Sequence, residues 1–461
     1  MEESALLKEI EHKEYAARLD ESTIVGVPIW RIVRYESRMC YISQKTQYET
    51  NTAQSSGVGK RRIKLFSGFW RFIGAKDLTL FYTFNRLVYA NGFYLDKFID
   101  PVIEASSINS GEYAIVDSPN YVGDYPRIHK DHVVSNEVRT LFKQILKHLM
   151  LCLVPIWYGK RIRVFFEKAK PVYQLPQSFL KRYYRSLSLF LADYYYSLIW
   201  YRRLRPKRVL VVFREGYFAQ IAACKKLHIP VAEFQHGITL DRTASFTGTF
   251  DSRIDPDYFL VFGAYWKGPQ FGMPLDRIIN IGWAYNEFLK KKVVSQSEMH
   301  LDEVLVISSP EITDAILDAL SSLSEAKGNY SFDIRLHPCE SYNETQKQKL
   351  QSIPNAKVVD NKIDSALVLP TYKYVVGENS SVIYEALSVG CRVGMLNLCG
   401  LKPAIDLPGI RENFYVIQSA GDFEKFLAEG RDSSTAKAEF YSAFDSEAFM
   451  RFINQSIEKY E

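Results

Sequence analysis

Several features that announce a specialised class are missing from this chain. Its six cysteines (Cys40, Cys152, Cys224, Cys339, Cys391 and Cys399) are scattered, with no Cys-x-x-Cys pair and no zinc-type spacing with histidine. In a chain of 461 residues that usage implies free thiols in a reducing compartment rather than a disulfide framework. Charge of one sign is also scarce. The 58 Lys and Arg stand against 53 Asp and Glu, and a net +5 does not single out nucleic acid as a partner. The longest apolar run, LMLCLVPIWY at 149–158, is about half the ~20 residues a bilayer span needs and contains Pro155. The N-terminus has no apolar h-region of a secretory signal, so a cytoplasmic protein is expected, with unmodified sequons at Asn329, Asn343 and Asn454. No internal repeat or heptad run occurs. Gly57-Val58-Gly59-Lys60 lacks P-loop spacing, and the surrounding 51–64 reads as a polar loop. No Asp-x-Asp pair ends a strand, and His129, Asp131 and His132 sit among Lys and Arg. No metal and no resident cofactor are therefore expected.

Apolar residues make up 47% and charged residues 24%, values of a globular protein with a sizeable core. The length suggests two domains. Aromatics are plentiful, with 30 Tyr and 29 Phe, as suits either a large core or grooves and interfaces.

From about residue 205 short β-branched runs alternate with helical stretches. The first series is RVLVVF (208–213), VAEFQHG (231–237), DYFLVFG (257–263) and RIINIG (277–282). The second is EVLVIS (303–308), FDIRLHP (332–338), AKVVD (356–360), YKYVVGE (372–378), RVGMLN (392–397) and FYVIQ (414–418). Such runs read as buried parallel strands in βα units. DLTLFYT (77–83) and YAIVDS (113–118) fit as further strands of the first series. The fold class is α/β, two facing Rossmann-like domains with a helix-rich N-terminal elaboration. The boundaries are 1–290, 291–434 and a closing helical segment 435–461, with the join in the polar stretch 288–302.

Ligands of such sheets bind at the carboxyl ends of the strands, where helix N-termini converge. In the second domain Arg335, His337 and Pro338 end one strand, while Glu378, Asn379, Ser380 and Ser381 end another and open a helix. The two hydroxyls, the free N–H groups and the helix dipole suit an anion, and Arg335 and His337 suit the same phosphate. Glu385, one turn inward, suits ribose hydroxyls, Ser308 and Ser309 suit a phosphate, and Gly282, ending the last strand of the first sheet near the interdomain hinge, joins the nucleotide-sugar set. In the first domain His236, at a strand end, is placed as a general base with Glu215 as its orienting group or substitute. Arg214, Gln235 and Gly237 flank it on the acceptor side.

His-Pro followed by Ser-Ser opening a helix resembles the nucleotide-phosphate site of GT-B fold bacterial transferases. These include sialyltransferases, capsule Kdo transferases and CDP-glycerol polymerases. His236-Gly237 is similar to the polymerases' His-Gly, although Gln235 stands where they have Trp, and Glu378-Asn379 where they have Asp-Tyr. The opening GVPIWRIVRYE (26–36) resembles bacterial surface-polysaccharide proteins. The resemblance implies a metal-independent, inverting glycosyltransferase of capsule or O-antigen synthesis. Residues 1–290 would be its acceptor side, and 291–434 would bind the nucleotide sugar, with a CMP-activated donor the first expectation. Its acceptor would be a lipid-linked glycan. The basic clusters KRRIK (60–64), KRIR (160–163) and RRLRPKR (202–208) suit peripheral contact with the cytoplasmic face of the inner membrane. The alternatives are a polyol-phosphate transferase or UDP-sugar epimerase on the same frame, or a non-catalytic subunit of polysaccharide assembly.

Overall fold

The computed structural model describes residues 3–46, 77–84, 87–90, 92–118, 125–134, 136–237, 249–267, 273–292, 300–310, 312–325, 330–338, 340–361, 363–378, 380–396, 398, 414–429 and 440–455. Asn379, the cluster at 60–64 and most of the join at 293–299 lie outside them.

The strands are β1 (Thr23–Ile24), β2 (Val27–Pro28), β3 (Thr79–Tyr82), β4 (Val88–Ala90), β5 (Phe93–Leu95), β6 (Tyr113–Val116), β7 (Val133–Val134), β8 (Arg208–Val211), β9 (Val231–Phe234), β10 (Tyr258–Val261), β11 (Ile278–Asn280), β12 (His300–Ile307), β13 (Ser331–Arg335), β14 (Ala356–Val359), β15 (Tyr372–Gly377), β16 (Arg392–Leu396) and β17 (Tyr415–Ile417). The helices are α1 (Glu3–Ala16), α2 (Ile29–Thr46), α3 (Asp100–Ala105), α4 (Asn136–Tyr173), α5 (Phe179–Leu204), α6 (Phe218–Leu227), α7 (Tyr285–Lys292), α8 (Thr313–Leu323), α9 (Glu344–Ser352), α10 (Ser365–Val368), α11 (Ser381–Val389), α12 (Ala420–Glu429) and α13 (Ser446–Asn454).

Two sheets carry the fold, and every pairing within them is parallel. The first has the order β11-β10-β9-β8-β3-β6-β7 and the second β14-β13-β12-β15-β16-β17. This is the α/β class with two Rossmann-like sheets. Side-chain period 2 divides the first sheet between two cores. Leu80, Tyr82, Val209 and Val211 pack with α4 and α5, whereas Phe81, Leu210 and Val212 join a second core on the opposite face. That second core continues into the C-terminal sheet through Leu305, Ile307 and Val375. Many of the aromatics gather at this junction. Phe262 lies 4.3 Å from Trp283 and 5.9 Å from Tyr441 between ring centroids, and Trp266 lies 5.7 Å from Tyr384.

The chain end returns to the first sheet. Ser442 N–H donates to the Phe262 carbonyl (2.8 Å), Trp283 N–H to Ser442 (2.9 Å) and Asp445 N–H to Ile281 (2.8 Å). Helix α13 follows, and Arg208 at the start of β8 donates to its Phe452 carbonyl.

One expectation is corrected. The run at 149–158, too short by itself to cross a bilayer, lies inside α4, which continues unbroken through Pro155 for 38 residues, and its Thr140–Tyr173 portion is long and apolar enough by composition to cross a membrane. Fully buried Val154 and the continuous packing on α5 keep the helix together where one N–H is lost.

Candidate active site

At the carboxyl end of the first sheet, adjacent strands β9, β8 and β3 release His236, Phe213 and Phe84 side by side. The half-buried imidazole lies against both rings, 5.0 Å from Phe213 and 5.7 Å from Phe84 between centroids. Burial first, and then the nearby Arg214 charge, push its pKa down from 6.5 to about 4, opposed by a hydrogen bond with the Val212 backbone. The ring is therefore neutral at physiological pH and available as a proton acceptor. Among the described residues nothing lies within 4 Å of a Cβ built on Gly237 beside it.

The other first-domain candidates hold the fold. Arg214 is buried, with its guanidinium 2.6 Å from Glu233 and 3.2 Å from Asp255. Asp255 also pairs with Arg31 of α2, and these two arginines overcome its burial to hold its pKa below the ordinary value. Arg34, on the same helix, is buried beside Arg31 and Arg38. Burial and their repulsion lower its pKa to about 9, and Glu215 pulls the other way. Glu215 thus interacts with Arg34 and Arg214, and among the described residues it makes no hydrogen bond to His236. The orienting role expected of it is not seen. Gln235 is fully buried; it accepts from Phe262 N–H (3.0 Å) and donates to the Gly237 carbonyl (2.9 Å). It braces the loop rather than facing an acceptor. Gly282 is also corrected. Its φ of +73° and a Cβ position 2.0 Å from the Ala443 carbonyl oxygen make it the crossing point of the returning chain, with no room for a ligand.

The second sheet sets one strand between the two that carry the motifs expected to act together. Ile307 of β12 pairs with Arg335 on one side and Gly377 on the other, so β12 runs between the two motif strands. His337 and Ser380 leave strands two interstrand steps apart, about 10 Å between backbones. Glu340 ties the end of β13 to the end of β12. It accepts from Ser308 Oγ (2.7 Å), Thr313 Oγ1 (2.6 Å) and His337 N–H (2.9 Å). A carboxylate there repels an anion, and it takes the hydroxyl of Ser308; Ser309 beside it is buried. Arg335 is buried and donates to the Asp360 (3.0 Å) and Ile363 carbonyls, pinning that loop. Glu378 turns inward to accept from Leu398 N–H (2.9 Å). His337 and Pro338 are exposed.

What remains is the start of α11. Ser380 is its N-cap, accepting from Val382 N–H (3.3 Å), and among the described residues the half-buried Ser381 hydroxyl makes no hydrogen bond. Gly390 in the left-handed region closes the helix. Glu385, one turn on, is claimed by Lys97 of the first domain at 3.2 Å, and burial raises its pKa while Lys97 opposes the rise. Asn286 donates to Ser388 (2.8 Å) alongside. Lys97 follows β5, in the chain between β3 and β6, so these contacts bring α11 against the first domain. Sequence reading missed Glu340, Lys97, Phe84 and Phe213. Phe213 stood in plain sight before Arg214, but nothing in the local pattern marked the others.

No known protein-family profile matches the chain, and no curated protein matches it. Among solved structures it is similar to a Staphylococcus aureus MnaA–UDP complex, at 12% identity over 82% of this chain and 95% of that one, with a TM-score of 0.48. It is similar to a Neisseria meningitidis UDP-GlcNAc 2-epimerase bound to UDP-GlcNAc, at 14% identity over 81% and 98%, with a TM-score of 0.46. TarM is similar at 12% identity over 58% of each chain, with a TM-score of 0.39. Nothing about this chain's chemistry follows from these likenesses.

Proposed function

We propose that this protein is an enzyme acting on a nucleotide-activated sugar in the crevice between its two sheets. The supporting observation is a juxtaposition: a neutral strand-end imidazole, His236, belongs to one sheet, and the serine-capped N-terminus of α11 to the other. The Lys97–Glu385 pair brings α11 to the first domain. The donor's phosphate sits at Ser380, Ser381 and the free N–H groups of α11, where the helix dipole favours the charge that grows as the leaving group departs. Across the crevice His236 accepts the proton of an attacking hydroxyl. A pKa of about 4 makes a weak base, and the approach of an anionic phosphate raises it towards the working range. In this reading the reaction is metal-independent transfer of the sugar, with inversion, to a glycan acceptor on a lipid carrier. It serves capsule or O-antigen synthesis, on the cytoplasmic face of the membrane.

Epimerisation of a UDP-sugar is the second reading. The Lys97–Glu385 and Asn286–Ser388 contacts already clasp the two lobes, which suits a reaction that needs one substrate and no acceptor path.

The two readings separate when the full chain is incubated with CMP-, CDP- and UDP-sugars, with and without a bacterial glycolipid extract. Nucleotide release that depends on the extract supports transfer. An epimeric UDP-sugar, or a free 2-epimer with UDP released to water, formed without it supports epimerisation. Neither product from any donor removes both.

A further inference from the structure

We infer that the outer face of α4 docks on an anionic bilayer surface, and that this face, rather than the basic clusters alone, seats the protein on a membrane. The inner side of α4 is committed to the core through Met150, Val154, Ile162, Phe165 and Phe166. The outer side is unusually apolar. Leu141, Ile145, Leu149 and Ile156 follow one another at intervals of four, four and seven residues, which is helical spacing for a single stripe, with Phe142 and Trp157 along its flanks. Ile145 is 59% exposed, Ile156 75% and Trp157 55%. From 141 to 157 the stripe runs about 24 Å at 1.5 Å per residue. Scattered exposed apolar residues are ordinary, but a continuous band of this length on a soluble surface marks an interaction site.

The charge around the band indicates what covers it. Residues 141–164 contain Lys143, Lys147, Lys160, Arg161 and Arg163 and no acidic residue. Antiparallel α5 lies alongside, its Tyr184 hydroxyl bonded to the Gly159 carbonyl and its Asp193 paired with Lys143. That register sets exposed Lys181, Arg182 and Arg185 beside exposed Lys160, Arg161 and Arg163 at one end of the helical pair. Exposed Arg202, Arg203 and Arg205 stand at the other. An apolar band with a cationic group at each end, carrying a tryptophan, matches the acyl boundary and the anionic headgroups of a bilayer surface. A second copy laid antiparallel on the same face would set positive end against positive end. A spanning orientation would strip the inner side of α4 from the core it shares with α5.

The inference stands without the nucleotide-sugar reading, because membrane binding is measured here with no donor present. The full chain is floated with vesicles of phosphatidylcholine, alone or doped with phosphatidylglycerol. It is expected to float with the anionic vesicles only, and high salt is expected to release it. Ile145→Glu with Ile156→Glu should abolish flotation while leaving the circular dichroism and melting profile unchanged, since both side chains are exposed. Lys160→Gln, Arg161→Gln and Arg163→Gln together should weaken it by on the order of a hundredfold, at about fivefold per charge. Four results would overturn the inference: equal flotation with neutral vesicles, retention by either variant, resistance to alkaline carbonate extraction, or a lipid-free dimer that Ile145→Glu with Ile156→Glu dissociates.

Discussion

The carboxyl ends of the two sheets have solved the same problem differently. In the first, the charged residues Arg214, Glu233 and Asp255 are buried under α2 in a network of ion pairs, and a neutral imidazole is left at the rim. In the second, the charged residues are turned onto backbone: Arg335 onto the Asp360 and Ile363 carbonyls, Glu378 onto Leu398, and Glu340 onto His337. There the hydroxyls of Ser380 and Ser381 are left. In both sheets most ionised side chains that look functional in the sequence hold loops or pair with other charges, as Glu385 does with Lys97, and the groups left over are uncharged. Desolvation explains the pattern. A charge near a half-buried strand end is costly unless it is fully paired, so it recruits partners, and a group with satisfied partners has little left for a ligand.

Removing a buried charge from the first network should break the comparison most forcefully. Arg214→Met leaves Glu233 and Asp255 short of a partner, and urea unfolding should show a loss of about 3–5 kcal/mol. A loss below 1 kcal/mol would mean that the network is not structural. Gly282→Ala forces a methyl group into the returning chain at a positive φ. It should cost on the order of 3 kcal/mol and expose the C-terminal segment to limited proteolysis, whereas a ligand-contacting glycine would lose affinity and keep its melting temperature.

His236→Asn sharpens the contrast through pH. The folded pKa of about 4 lies below the unfolded 6.5, so only the unfolded chain takes up the proton in that window. Stability contributed by the neutral ring is complete above pH 6.5 and declines as pH falls towards 4, by up to about 3 kcal/mol, less whatever its exposure screens. The variant should lose that acid-side slope in denaturation curves. It should also reduce turnover on the true substrate by roughly 10²–10⁴-fold, as loss of a general base does. A slope unchanged by the substitution would place the titrating group elsewhere.

The strands were legible because their runs are continuous and β-branched, as buried parallel strands require. Val209–Val211 and Val304–Val306 are fully buried on both faces. The sheet order was not legible. No local pattern says that β12 inserts between β13 and β15, the strands that lead into His337 and Ser380. Nor could residue type reveal that Arg335 is consumed by backbone carbonyls 25 and 28 residues further along the chain, or that Glu340 would accept from Ser308. Ser380 was legible because an N-cap is a local event, decided by the helix that follows it. The continuity of α4 through Pro155 was hidden because packing on α5, rather than propensity, sustains it.

The measurement that tests the account most directly is calorimetric titration of UDP, CDP and CMP into the wild-type chain, a Ser380→Ala/Ser381→Ala variant and a His337→Ala variant. The account predicts that one nucleotide binds, that loss of the two hydroxyls weakens it by about tenfold or more, and that His337→Ala leaves the affinity unchanged. Equal binding by the double-serine variant, with affinity lost in His337→Ala, would contradict it and return the phosphate to the other strand end.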